Sequence, residues 1–182
     1  MLKYVHNKFK GGRQMRKAKM ITTREYMMKF IYQVEVNKEE LVNLNEKVET
    51  FLNNNLEYIK NRYEELKLQF SDNPDVELDE VDLSQFVNLK YSKEVARSFR
   101  DNKEYIDSLI NKHANNWTIN RMAKVDLAIL RLAICEMLYI EEVPTKVAIN
   151  EAVELSKLYC DNKSPKFING VLGSIASEIE GK

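Results

Sequence analysis

From Leu127 to Leu138 the chain reads LAILRLAICEML, a stretch that is apolar around nearly the whole circumference of a helix. A helix with no wet face belongs at the centre of a bundle, with other helices covering every side. Arg131 and Glu136 are its only charged interruptions. An unpaired charge in such a place is costly, so each is expected to reach a partner or the surface.

The flanking sequence supplies helices to surround that centre. Five glycines, three prolines and no sustained period-two alternation make the chain all-helical. Thr22 or Thr23 fits the cap of a first helix carrying Tyr26, Met27, Phe30, Ile31 and Val34 on one stripe. A second helical region runs from about Lys38 to Phe70, with a break in the run Asn53-Asn54-Asn55. Helices are expected again near Ser84–Phe99 and Asn102–Ala114, followed by a short one at Thr118–Met122. The central helix starts at about Asp126, which fits an N-cap. Pro144-Thr145 opens the next helix and Ser164-Pro165 the last.

That last helix carries Ile168, Val171, Leu172, Ile175 and Ile179 on one side. It also contains Gly170 and Gly173, each costing about 1 kcal/mol relative to alanine. Close approach of a neighbouring helix would offset that cost. Between residues 71 and 82 lies SDNPDVELDEVD, with six acids, no cation and a proline, which reads as an acidic loop extending to about residue 83.

Charge is zero overall but unevenly placed. Residues 1–29 hold nine cations against the single anion Glu25, a net +8 that leaves −8 for the rest. A basic arm (residues 1–21) on an acidic domain (22–182) points to a nucleic-acid-binding face, with a solvated tail as the plain alternative. Lys10-Gly11-Gly12 stands just ahead of Met15, a pattern that a ribosome-binding site before Met15 would encode. Residues 1–14 are therefore either the product of an early start or a genuine basic arm.

Catalytic chemistry leaves no trace in the pattern. The glycine pair in KGGRQ lacks the spacing of a phosphate-binding loop. Cys135 and Cys160 lie in apolar helical patterns and read as reduced thiols, and His6 and His113 have no ligand at metal spacing. No apolar run approaches the roughly 20 residues that cross a bilayer, and no secretory signal opens the chain. The expectation is a cytoplasmic binding protein, without enzymatic activity or cofactor.

The segments KVAINEAVELSK and SPKFINGVL, in that order, resemble the C-terminal half of the NusB family of bacterial transcription antitermination factors. TTREYMMKFIYQ is similar to that family's first helix. The resemblance is weak across 37–100. It implies two small helical subdomains packed face to face. It further implies binding of the boxA element of nascent RNA together with the ribosomal protein NusE, within an antitermination complex on RNA polymerase, notably on ribosomal RNA operons.

Carried over residue by residue, it assigns Arg16, Lys17, Lys19 and Arg24 to phosphates, and Lys166 and Phe167 to a cation and stacking platform at the dipole-positive mouth of the last helix. Phe167 lies off the buried stripe, which favours exposure over a core role. Tyr32 and Asp126 fall on the implied NusE side. The two basic regions are expected to converge into one strip for single-stranded RNA. Two other readings stand beside this one: an N-terminal fragment of a ribosomal RNA cytosine methyltransferase, and a protein-interaction bundle that binds no RNA.

Overall fold

The computed structural model describes residues 2–70, 82–114 and 117–181, with side chains from residue 15 onward. The acidic segment at 71–81 lies outside the described residues. Eight α-helices and no strand occur among those described: α1 (Leu2–Asn37), α2 (Leu44–Asn54), α3 (Leu56–Phe70), α4 (Leu83–Phe86), α5 (Leu89–His113), α6 (Lys124–Tyr139), α7 (Thr145–Tyr159) and α8 (Ser164–Glu180). A 3₁₀ turn at Ile119–Arg121 precedes α6. The N-terminal helices α1–α3 and the C-terminal helices α4–α8 share one core, joined where α1 packs on α6 and α2 on α5.

α6 takes the central place its composition demands. Every residue from Leu127 to Glu136 is buried, and α1, α5, α7 and α8 all pack on it. Both charged interruptions find partners. Arg131 is 1% exposed and donates through Nε and Nη2 to the two carboxylate oxygens of Asp107, each at 2.8 Å, and through Nη1 to Glu35 at 2.7 Å. This fork locks α5 and α1 onto α6. One turn further on, Glu136 accepts from Arg24 Nε and from the Tyr91 hydroxyl, both at 2.7 Å.

Several boundaries differ from expectation. Thr22 and Thr23 cap nothing, because α1 runs through them. The Thr23 hydroxyl donates to the Lys19 carbonyl at 2.6 Å and accepts the Asn88 N–H at 2.9 Å, so it serves the start of α5 instead. The expected break at residues 100–101 is absent, since Phe99 and Ile106 stand seven residues apart on one buried stripe and the helix gains by continuing. The break in the asparagine run does occur, at Asn55, whose Nδ2 donates to the Phe51 carbonyl. α6 begins at Lys124, so Asp126 sits inside its first turn rather than at its cap.

The glycines of α8 also depart from expectation. A Cβ placed at Gly170 or Gly173 would meet nothing within 4 Å. Close helix packing therefore does not explain them.

Candidate nucleic-acid interface

The mouth of α8 is built by Asp161. Its Oδ1 accepts the N–H groups of Lys163 at 2.8 Å and Ser164 at 3.1 Å, while Pro165 has no N–H to offer. The amide that opens the helix and the one before it are thus held by a carboxylate. The Lys163 and Lys166 side chains add positive charge beside this mouth. Ser164 Oγ donates to Asp126 at 2.9 Å, which pins the start of α8 to the start of α6. Lys163 and Lys166 point outward, and neither makes an ion pair among the described residues.

Phe167 is half-buried: it packs on the core and presents its remaining surface to an open cleft of about 580 Å³. Across that cleft stands Trp117, with ring centroids 6.1 Å apart and planes tilted by 56°. Trp117 is 51% exposed, an unusual degree for the largest apolar side chain. His113 closes one end, held by Ser174 Oγ at Nδ1 and Glu178 at Nε2, both at 2.7 Å. Gly170 lines the floor, and its missing side chain helps to keep the cleft open. Two aromatic faces beside two outward-pointing cations form a surface suited to an unpaired nucleotide strand.

The N-terminal cations divide into two kinds. Arg16 and Lys17 are exposed, and the Lys17 ammonium lies 4.2 Å from the centroid of the Phe70 ring. Lys19 donates to the Ser84 carbonyl in α4. Arg24, by contrast, is only 6% exposed and its guanidinium is committed to Glu136, with Glu151 at 3.7 Å. It ties α1 to α6 from within the core, while lining with Arg16 the surface cavity beside the start of α5. Burial pushes the Glu136 carboxyl upward against the opposing pull of Arg24 and Tyr91, and the same carboxylate keeps the guanidinium charged.

The two basic regions do not form one compact strip. Arg16 shares a surface cavity with Lys90 and Tyr91, at the first turn of α5. Phe167 shares its cleft with His113, at the last turn of the same helix. At 1.5 Å per residue, Lys90 and His113 stand about 35 Å apart. The cations mark two ends of the molecule, and a strand touching both would lie along its length.

Of the residues assigned to the partner side, Tyr32 is 37% exposed on α1. Asp126 is half-buried and accepts from Ser164 Oγ at the α8 mouth. Sequence reasoning misses Trp117. It lies in a connection with no periodicity to flag it, and its being the only tryptophan of the chain is the one available signal. No grouping of side chains suited to a metal ion occurs among the described residues, and no described helix is long and apolar enough to cross a membrane.

Fold and cleft together define an all-helical binding module with an aromatic, cationic mouth. The chain belongs to the NusB family, whose family model matches residues 21–177. It is 38% identical over 157 residues to the transcription antitermination protein NusB of Clostridium tetani (strain Massachusetts / E88), covering 86% of this chain and 97% of that protein. It is also 38% identical over 160 residues to NusB of Clostridium perfringens (strain SM101 / Type A), covering 88% and 98% respectively. Among solved structures, T. maritima NusB superposes with a TM-score of 0.59 at 26% identity, covering 87% of this chain and 90% of that one. A crystal structure of the antitermination factors NusB and NusE in complex with dsRNA shares the fold, with a TM-score of 0.56 at 22% identity and coverage of 87% and 96%.

Proposed function

We propose that this protein is a non-enzymatic, cytoplasmic transcription antitermination factor that binds single-stranded boxA-type RNA together with NusE, within an antitermination complex on RNA polymerase. The observation that carries the reading is the open cleft at the α8 mouth, where Phe167 and Trp117 meet beside the exposed cations Lys163 and Lys166. Base faces are available to aromatic rings only in an unpaired strand, which favours single-stranded over duplex RNA. Arg16 and Lys17, about 35 Å away along α5, would meet the same strand further along its backbone. The relatives that share nearly their whole length with this chain are named for antitermination, which favours this reading over a piece of a methyltransferase.

The test is a titration of labelled single-stranded and duplex RNA, with and without NusE, across a salt series. Affinity for the single strand should fall as salt rises, with a logarithmic slope of about −0.7 per phosphate neutralised. No salt-dependent binding in either condition would leave a protein-interaction bundle, and a preference for the duplex would remove the stacking argument.

A further inference from the structure

We infer that Trp117 is a nucleobase-binding residue: with Phe167 it forms a two-sided clamp that holds one unstacked base of the RNA. The inference rests on the RNA-binding reading above and adds to it a residue and a mode of contact.

The geometry carries the clamp. The two ring centroids lie 6.1 Å apart with planes 56° from parallel, a tilted contact in which neither ring stacks face to face on the other, so each keeps a face free for a base. Phe167 is fixed from beneath by core packing, whereas Trp117 is 51% exposed and its indole N–H has no hydrogen-bond partner among the described residues. A rigid wall and a freer one suit a slot that opens, by movement of the Trp117 ring, to admit a flat guest. Gly170, one turn after Phe167, leaves the floor bare: a Cβ there would meet nothing within 4 Å, so the helix cost is not offset by packing. A substrate backbone approaching the floor would account for it. Lys163 and Lys166 flank the slot with no salt bridge among the described residues, while Asp161 accepts from the backbone amides it caps. The rim therefore suits a flat aromatic guest attached to an anionic backbone, which is the description of a nucleotide within a strand.

The single tryptophan makes the clamp directly observable, since all tryptophan emission of this chain reports from position 117. RNA of about twelve nucleotides should quench that emission in step with binding followed independently by anisotropy of an end-labelled strand; where NusE is needed, the Trp117→Phe complex supplies the blank. Trp117→Ala should weaken RNA binding about five- to 150-fold, and Trp117→Phe should recover part of the loss. A scan of single abasic positions along the RNA should find one position that matters in the wild type and ceases to matter in Trp117→Ala. A variant that only loosened the fold would not move that one position selectively, and the wild-type quench needs no variant at all. Anisotropy showing binding with unchanged tryptophan emission, and affinity within twofold in Trp117→Ala, would overturn the clamp while leaving RNA binding intact. Quenching by NusE without RNA would hand the cleft to a protein segment. RNA that fails to bind even with NusE would defeat the functional reading and the clamp together.

Discussion

Arg24 separates a structural cation from a ligand-binding one, and its replacement by alanine is the sharpest check on that distinction. The guanidinium meets Glu136 at 2.7 Å, and the two residues are 6% and 2% exposed. Removing Arg24 leaves the Glu136 carboxylate sealed between α1, α5 and α6 with the Tyr91 hydroxyl as its remaining donor. Breaking one side of a buried pair in this way costs about 3–5 kcal/mol. Against a typical total of about 5–15 kcal/mol, that is a large share. Replacing the whole unit by apolar groups (Arg24→Met, Tyr91→Phe and Glu136→Leu together) should recover most of the loss, because no buried charge is then left without a partner. Urea denaturation followed by far-ultraviolet circular dichroism measures both. A loss below about 1 kcal/mol in Arg24→Ala, accompanied by a shallower salt dependence of RNA binding, would refute the assignment and return the guanidinium to a phosphate.

Gly170→Ala should raise stability by about 0.5–1 kcal/mol, since helix propensity improves and the new Cβ meets nothing within 4 Å; a lower melting temperature would show a hidden contact. Glu35 governs part of the acid response. Burial opposes its charged form, but hydrogen bonds from Arg131 and Lys124 win and push its pKa from an ordinary 4.5 down to about 2. A depressed folded value means stability that is present above about pH 4.5 and lost as pH falls towards 2, up to about 3 kcal/mol for this group. Glu35→Gln should flatten the pH dependence of stability between pH 5 and pH 3 by about 2 kcal/mol, the part of that contribution lost over this range, and an unchanged slope would contradict the pairing. Charge reversal at Lys163 and Lys166 should weaken RNA binding and reduce its salt slope by about 0.7 for each phosphate no longer neutralised, with melting unchanged.

Much of the fold is written locally. α6 is legible because apolar residues on every side of a helix leave no alternative to the centre, and α7 and α8 because their stripes keep helical spacing. What stays hidden depends on distant partners. Thr22-Thr23 looks like a cap until Asn88, 65 residues away, is seen to donate to Thr23. Arg24 looks like its basic neighbours because the carboxylate that claims it lies 112 residues further on. For the same reason the chain's basic segments suggest a single RNA strip where α5 in fact separates two cationic ends. Lys166 and Phe167 are marked by resemblance, whereas Trp117, in an aperiodic connection, acquires meaning only from the ring it faces.

The direct test of where RNA lies is photo-crosslinking of a single-stranded RNA of about twelve nucleotides carrying 4-thiouridine at successive positions, with NusE present and attachment sites read by mass spectrometry. Crosslinks are expected in the peptides containing Trp117 and residues 163–170, and, from positions further along the strand, in the peptide containing Arg16–Lys19. Crosslinks confined to α2 and α3, with none at the α8 mouth, would contradict the account.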